Sequence, residues 1–162
     1  CVAGANCCIL SYTGKECDVA PYNDDYTPIP NIPIVTAATA WQSKDTGLVY
    51  IIVLEEALWM GDSMQTTLIN SNQSRHFGVV VQDDPTSNIP MHIRTEDASF
   101  SLPIDMQGTI AGFTSHTLSD KELEHCPKIH ITSSRPWKPD TVTFQKTDQN
   151  LKSVLRLSLI HI

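Results

Sequence analysis

Three groups of side chains could do chemistry: Cys7 and Cys8 as nucleophiles, His125, Cys126 and His130 as metal ligands, and Glu55 with Glu56 as paired carboxylates. Each is weak by its spacing. Structural zinc sites present paired short spacings such as C-x2-C with H-x3-H, and only one loose pair exists here, so no metal is expected. No local signature surrounds Cys7 or Cys8 to mark a Cys-His nucleophile. Glu55 and Glu56 are adjacent, and adjacent residues on a strand face opposite ways. One of them is expected in solvent, and the two are not expected to form a catalytic pair. Glycine-rich phosphate loops and G-x-S-x-G are absent, and no cofactor is expected.

Composition narrows the partners. The chain has 162 residues, 41% of them hydrophobic, and a net charge of −7. That suits one domain with a real core, or a domain with an appendage. The 11 basic residues are scattered, which argues against direct nucleic-acid binding. No run approaches the ~20 apolar residues of a membrane span, so no membrane partner is expected. Five cysteines make an odd set with no framework; reduced thiols in a cytoplasmic setting are expected. The chain opens inside an apolar element without Met, so a fragment of a longer protein is expected. Residues 157–162 resemble a translated sequencing adaptor and are set aside.

The elements that must position these groups read as mostly β. Residues 5–10 form a short buried strand after a turn at Gly4, and Tyr12 to Lys15 read as a turn. Pro21 to Pro30 cannot be helix or central strand, and read as a loop or a mobile flap. Ile32 to Trp41 is a strand, and the Gln42–Gly47 turn makes a hairpin with Leu48–Leu54, a central strand buried on both faces. Thr66 to Asn70 leads into a short helix over 71–76, capped by Asn70 or Ser71 and closed by Gly78 at C′. Val79–Val81 returns as a strand, and 83–88 is a loop and a possible boundary. Met91–Arg94 and Phe100–Ile104 make a hairpin, and Gly108–Ser115 is a further strand. A helix over 117–124 has Ser119 and Glu122 at capping-box spacing. Lys128–Thr132 is one more strand, and residues 134–150 read as extended and poorly packed.

One arrangement remains. Aspartic proteases hold two carboxylates about 3 Å apart that share a proton; one activates water while the other protonates the substrate carbonyl. In homodimeric forms each chain supplies one Asp on a tight D-[ST]-G-A turn, against which a buried strand and a short helix pack. This chain carries Gly-Ala-Asn-Cys-Cys-Ile-Leu at 4–10, Val-Ala-Pro-Tyr-Asn at 19–23 and Thr-Ala-Ala-Thr-Ala at 36–40. It also carries Leu-Ile-Asn-Ser-Asn-Gln-Ser-Arg-His-Phe-Gly-Val-Val-Val at 68–81. In that order these segments resemble the retropepsin-like protease region of copia-type retrotransposon Gag-Pol polyproteins, of the kind found in diatom and algal genomes. Segments 102–113, 127–132 and 136–139 look like that family's second block.

The resemblance implies a retropepsin-like acid protease barrel with one or two short helices. It places the core at 1–83, a β-rich extension at 84–133 and a loose polar tail at 134–156. It implies a homodimer acting on its own polyprotein, associated with virus-like particles. Val2, Ala3 and Gly4 then occupy the catalytic Asp-Ser/Thr-Gly positions. Ala5, Leu68, Ile69 and Asn70 support that loop, and Tyr22, Asn23, Asp24, Asp25 and Tyr26 belong to the flap. The departure is decisive for activity: Val2 stands where the acid belongs and Ala3 where the hydroxyl belongs, so this copy is expected to be inactive. The other readings are a non-catalytic dimerisation or spacer module, and an unrelated β-sandwich binding domain. Separation of Gly4-Ala5 from Leu68–Asn70 in space would favour the sandwich.

Overall fold

The computed structural model describes residues 1–144. The chain is mainly β, with ten strands and two short helices among the described residues. Strand β1 (Val2–Gly4) is followed by the long hairpin of β2 (Cys8–Val19) and β3 (Ile29–Gln42). Strand β4 (Val49–Gly61) follows the second turn. The sheet order is β1-β4-β3-β2. Ile51, Ile52, Val53 and Leu54 of β4 are all buried, as a strand covered on both faces demands.

Helix α1 (Ser71–His76) starts where the Asn70 side chain accepts from the Asn72 and Gln73 amides, and Gly78 at φ +88° closes it. Strands β5 (Val80–Gln82), β6 (His92–Arg94) and β7 (Ser101–Pro103) form a second, antiparallel sheet. Strands β8 (Asp105–Gln107) and β9 (Ile110–Gly112) pair only with each other. Helix α2 (Asp120–His125) carries the full capping box between Ser119 and Glu122. Strand β10 (Lys128–His130) then lies parallel to β4, with Lys128 opposite Ile51.

Several expectations need correction. Tyr12 to Lys15 is not a turn, because β2 runs through it with an irregular register that Gly14 absorbs at φ +80°. Only Ile110–Gly112 of the 108–115 segment is a strand. The boundary at residue 83 does not separate two packed units. β5 pairs with β6 across it, and β10 joins the first sheet. One core cluster holds Ala3, Leu54, Val79, Leu102 and Ile131 together. The Trp41, Tyr50 and Phe100 rings, 5.0–5.9 Å apart between centroids, tie the two sheets. Within 134–144 most residues are exposed, while Trp137 packs at 5.6 Å from the His76 ring and Arg135 lies over Phe77. The remainder of the tail and residues 157–162 lie outside the described residues.

Candidate functional site

β4 builds the site because it is long enough to serve two partners on one edge. β3 occupies its other edge, β10 takes the half at Ile51–Val53, and β1 takes the half at Leu58–Gly61, also in parallel. Val2 therefore sits opposite Leu58 on one side and Leu68 on the other. Val2 N donates to Leu68 O at 2.8 Å, and Leu68 N donates back to Val2 O at 2.9 Å. Ala3 is fully buried. The chain turns at once, with Ala5 N donating to Met64 O at 2.7 Å and Cys7 N to Gly4 O at 3.0 Å.

Glycine is required at position 4 by space. A Cβ there would lie 2.6 Å from Met64 O and 2.8 Å from Thr66 O, both backbone atoms. The Gly4 N–H donates to Thr67 Oγ1 at 3.0 Å, and Thr67 donates to Asn6 Oδ1 at 2.7 Å. Cys7 Sγ lies 3.1 Å from the same Thr67 oxygen. The structure thus brings Val2–Ala5 and Leu68–Asn70 together. The 22–26 segment lies apart, at the tip of the β2–β3 hairpin, with Tyr22 and Tyr26 exposed. That tip is held by its own bonds, Asp25 N to Asn23 Oδ1 and Tyr26 N to Asn23 O.

Helix α1 locks the arrangement through polar residues. Its sequence, Ser-Asn-Gln-Ser-Arg-His, offers no apolar side chain. Its inner face is Gln73 and Ser74, both 0% exposed. The Gln73 amide donates to Glu55 O and Glu56 O at 3.4 and 3.3 Å, and Cys1 N donates to its oxygen. Arg75 reaches Val81 O at 3.0 Å and Asp83 Oδ1 at 2.6 Å, tying the helix to β5. Partial burial pushes the Asp83 carboxyl up, but hydrogen bonds from Ser71 and Arg75 and the Arg75 charge outweigh it and hold the group below its ordinary range.

The other chemical groups resolve as structure. Glu55 and Glu56 are not one in and one out. Glu56 sits at φ +52° with its side chain buried and pairs with Lys15, and Glu55 lies 3.3 Å from His130 Nδ1. The backbone irregularity at Glu56 breaks the alternation that puts neighbours on opposite faces. His125 bonds to Lys121 O, and Cys126 packs beside the smaller core cluster of Ala38, Ile51 and Val53. Among the described residues no three His, Cys, Asp or Glu converge on a metal-sized point. All five cysteines are free thiols. Burial raises the Cys7 and Cys8 pKa values above their ordinary range.

Thr67, Asn6 and Gln73 were not singled out as site residues from sequence. A signal existed for Gln73: a short helix without apolar residues can dock only through a polar one. No helix among the described residues is long and apolar enough to cross a membrane. No family model, curated protein or solved structure matches the chain.

Proposed function

We propose that this chain is a retropepsin-like domain of a copia-type retroelement polyprotein that has lost hydrolysis, and that it serves as a homodimeric module of that polyprotein. The observation that supports this reading is the two-way backbone clamp between Val2 and Leu68, beside a Gly4 with no room for a Cβ. A loop so held could carry an acid at position 2 in one fixed place. Valine there can neither accept a proton nor polarise water, and a dimer with Val2 in both chains has no dyad. The loss of chemical rate amounts to many powers of ten. Ala3 also lacks the hydroxyl that would tie two such loops together, a bond worth about 1 kcal/mol. The Pro21–Pro30 segment would be the flap.

The test is repair. A folded V2D/A3S variant should cleave peptides spanning its own polyprotein junctions and be stopped by a pepstatin-like inhibitor. Absence of any cleavage by that variant overturns the reading.

A further inference from the structure

Two continuous stretches of chain, residues 66–69 and residues 110–115, border one cavity of about 390 Å³. Ile52 and Leu54 of β4 and Ile93 of β6, all buried, reach it from the core. Hydroxyl groups are interspersed with them, and Thr39, the cross-strand partner of Ile52, lines the cavity too. The lining carries one charged residue, Asp83, which Arg75 already pairs. The cavity is therefore neutral and of mixed polarity, and its side chains single out no head group.

Its backbone is more specific. Leu68 turns both of its main-chain groups to Val2. Along an antiparallel strand, successive residues present these groups to opposite sides, so Thr67 and Ile69 turn theirs away from β1. No residue of β1 lines the cavity, whereas the whole of 66–69 does, which places the cavity on that other side. Among the described residues, the N–H and C=O groups of Thr67 and Ile69 have no hydrogen-bond partner. On the other stretch, β9 pairs with β8 alone, and its second edge is open in the same way. Main-chain groups away from water are nearly always paired. The complement of these edges is the backbone of one extended strand, whose residues two apart meet Thr67 and Ile69. A strand already held in a sheet would bring its neighbour into space bordered on both sides, so a lone linear segment fits and a second folded copy does not. A neutral lining asks that the segment be uncharged, because a buried unpaired charge is costly.

We propose that this cavity binds one neutral, extended polypeptide segment of a partner protein, added as a strand to the Thr67–Ile69 edge, with an aliphatic side chain set against Ile52, Leu54 and Ile93. The proposal does not depend on the protease-like reading of the β1 loop.

Pentapeptides acetyl-Ser-Thr-Xaa-Thr-Ser-amide, with Ile, Leu or Lys at the centre, titrated into the full chain by calorimetry test it, with backbone amide shifts followed by NMR. The Ile or the Leu peptide should saturate one site at least about tenfold more tightly than the Lys peptide. N-methylation of the three central residues keeps the side chains and removes the strand donors, and it should weaken binding by about tenfold or more. The shifts should centre on Thr67, Ile69 and Ala111. Gly112→Phe should weaken binding to a similar extent by filling the cavity, since a Cβ there meets no atom within 4 Å and the fold should stand. The proposal falls if neither aliphatic peptide saturates, if the Lys or the N-methylated peptide binds as well, or if the shifts centre on the Val2 loop or elsewhere. It also falls if folded Gly112→Phe binds unchanged. Self-association of the chain that the Ile peptide displaces, seen by sedimentation, would assign the edge to a second copy and overturn it as well.

Discussion

Val2 and Leu68 exchange both of their backbone hydrogen bonds, at 2.8 and 2.9 Å, although 65 residues of chain lie between them. This pair fixes the first turn of the molecule against the segment that enters helix α1. The Gly4 bond to Thr67 and the Gln73 bonds to Glu55 and Glu56 hold the same loop beside that pairing.

Gly4→Ala should destabilise the fold by about 1–3 kcal/mol, the usual cost of overpacking. The added Cβ meets two carbonyl oxygens, and neither can swing away as a side chain would. Urea unfolding followed by circular dichroism measures this, and a change below about 0.5 kcal/mol would show that the loop is slack.

Gln73→Leu keeps the volume and removes the amide that serves Glu55 O, Glu56 O and Cys1 N. A buried polar group left without its partner costs about 1–3 kcal/mol, so a total loss of about 2–4 kcal/mol is expected. Gln73→Glu should also destabilise, because it puts an acceptor where two carbonyls need a donor.

Lys15→Met leaves the Glu56 carboxylate buried without its cation. Full burial of both partners would cost about 3–5 kcal/mol, but Lys15 is half-exposed, so about 1–3 kcal/mol is expected. The double variant Lys15→Met/Glu56→Gln should recover part of that loss. A thermodynamic cycle over the four proteins gives the coupling, and additivity within error would contradict the pairing.

Acid should weaken the α1–β5 junction. The folded Asp83 carboxyl titrates below its ordinary range, so its contribution is complete above the unfolded value of about 3.9 and is lost as pH falls through the lower folded value. Unfolding free energy measured from pH 5 downward should therefore fall less steeply in Asp83→Asn than in the parent. Parallel curves would contradict this assignment.

What the sequence made legible was local. The Asn70 cap, Gly78 at C′ and the Ser119–Glu122 capping box follow from residues within one turn of each other, and all three occur as expected. The buried run at 51–54 declared its place by length and apolarity. What stayed hidden depends on distant partners. Gly14 marks a bulge inside β2 because β3 continues alongside it, which Tyr12–Lys15 alone cannot reveal. Glu56 is buried because Lys15 reaches it from two strands away, and β10 joins the first sheet because β4 has a free half-edge. In the site, Gly4 was readable as a turn, but its hold by Thr67 depends on a residue 63 positions on.

The most direct measurement is the initial rate at which folded V2D/A3S cleaves peptides spanning its own polyprotein junctions, with the parent chain and a pepstatin-like inhibitor as controls. Inhibitor-sensitive cleavage by the variant and none by the parent is the expected result. A variant that folds and dimerises yet cleaves nothing, or a parent chain that cleaves as it stands, would contradict it.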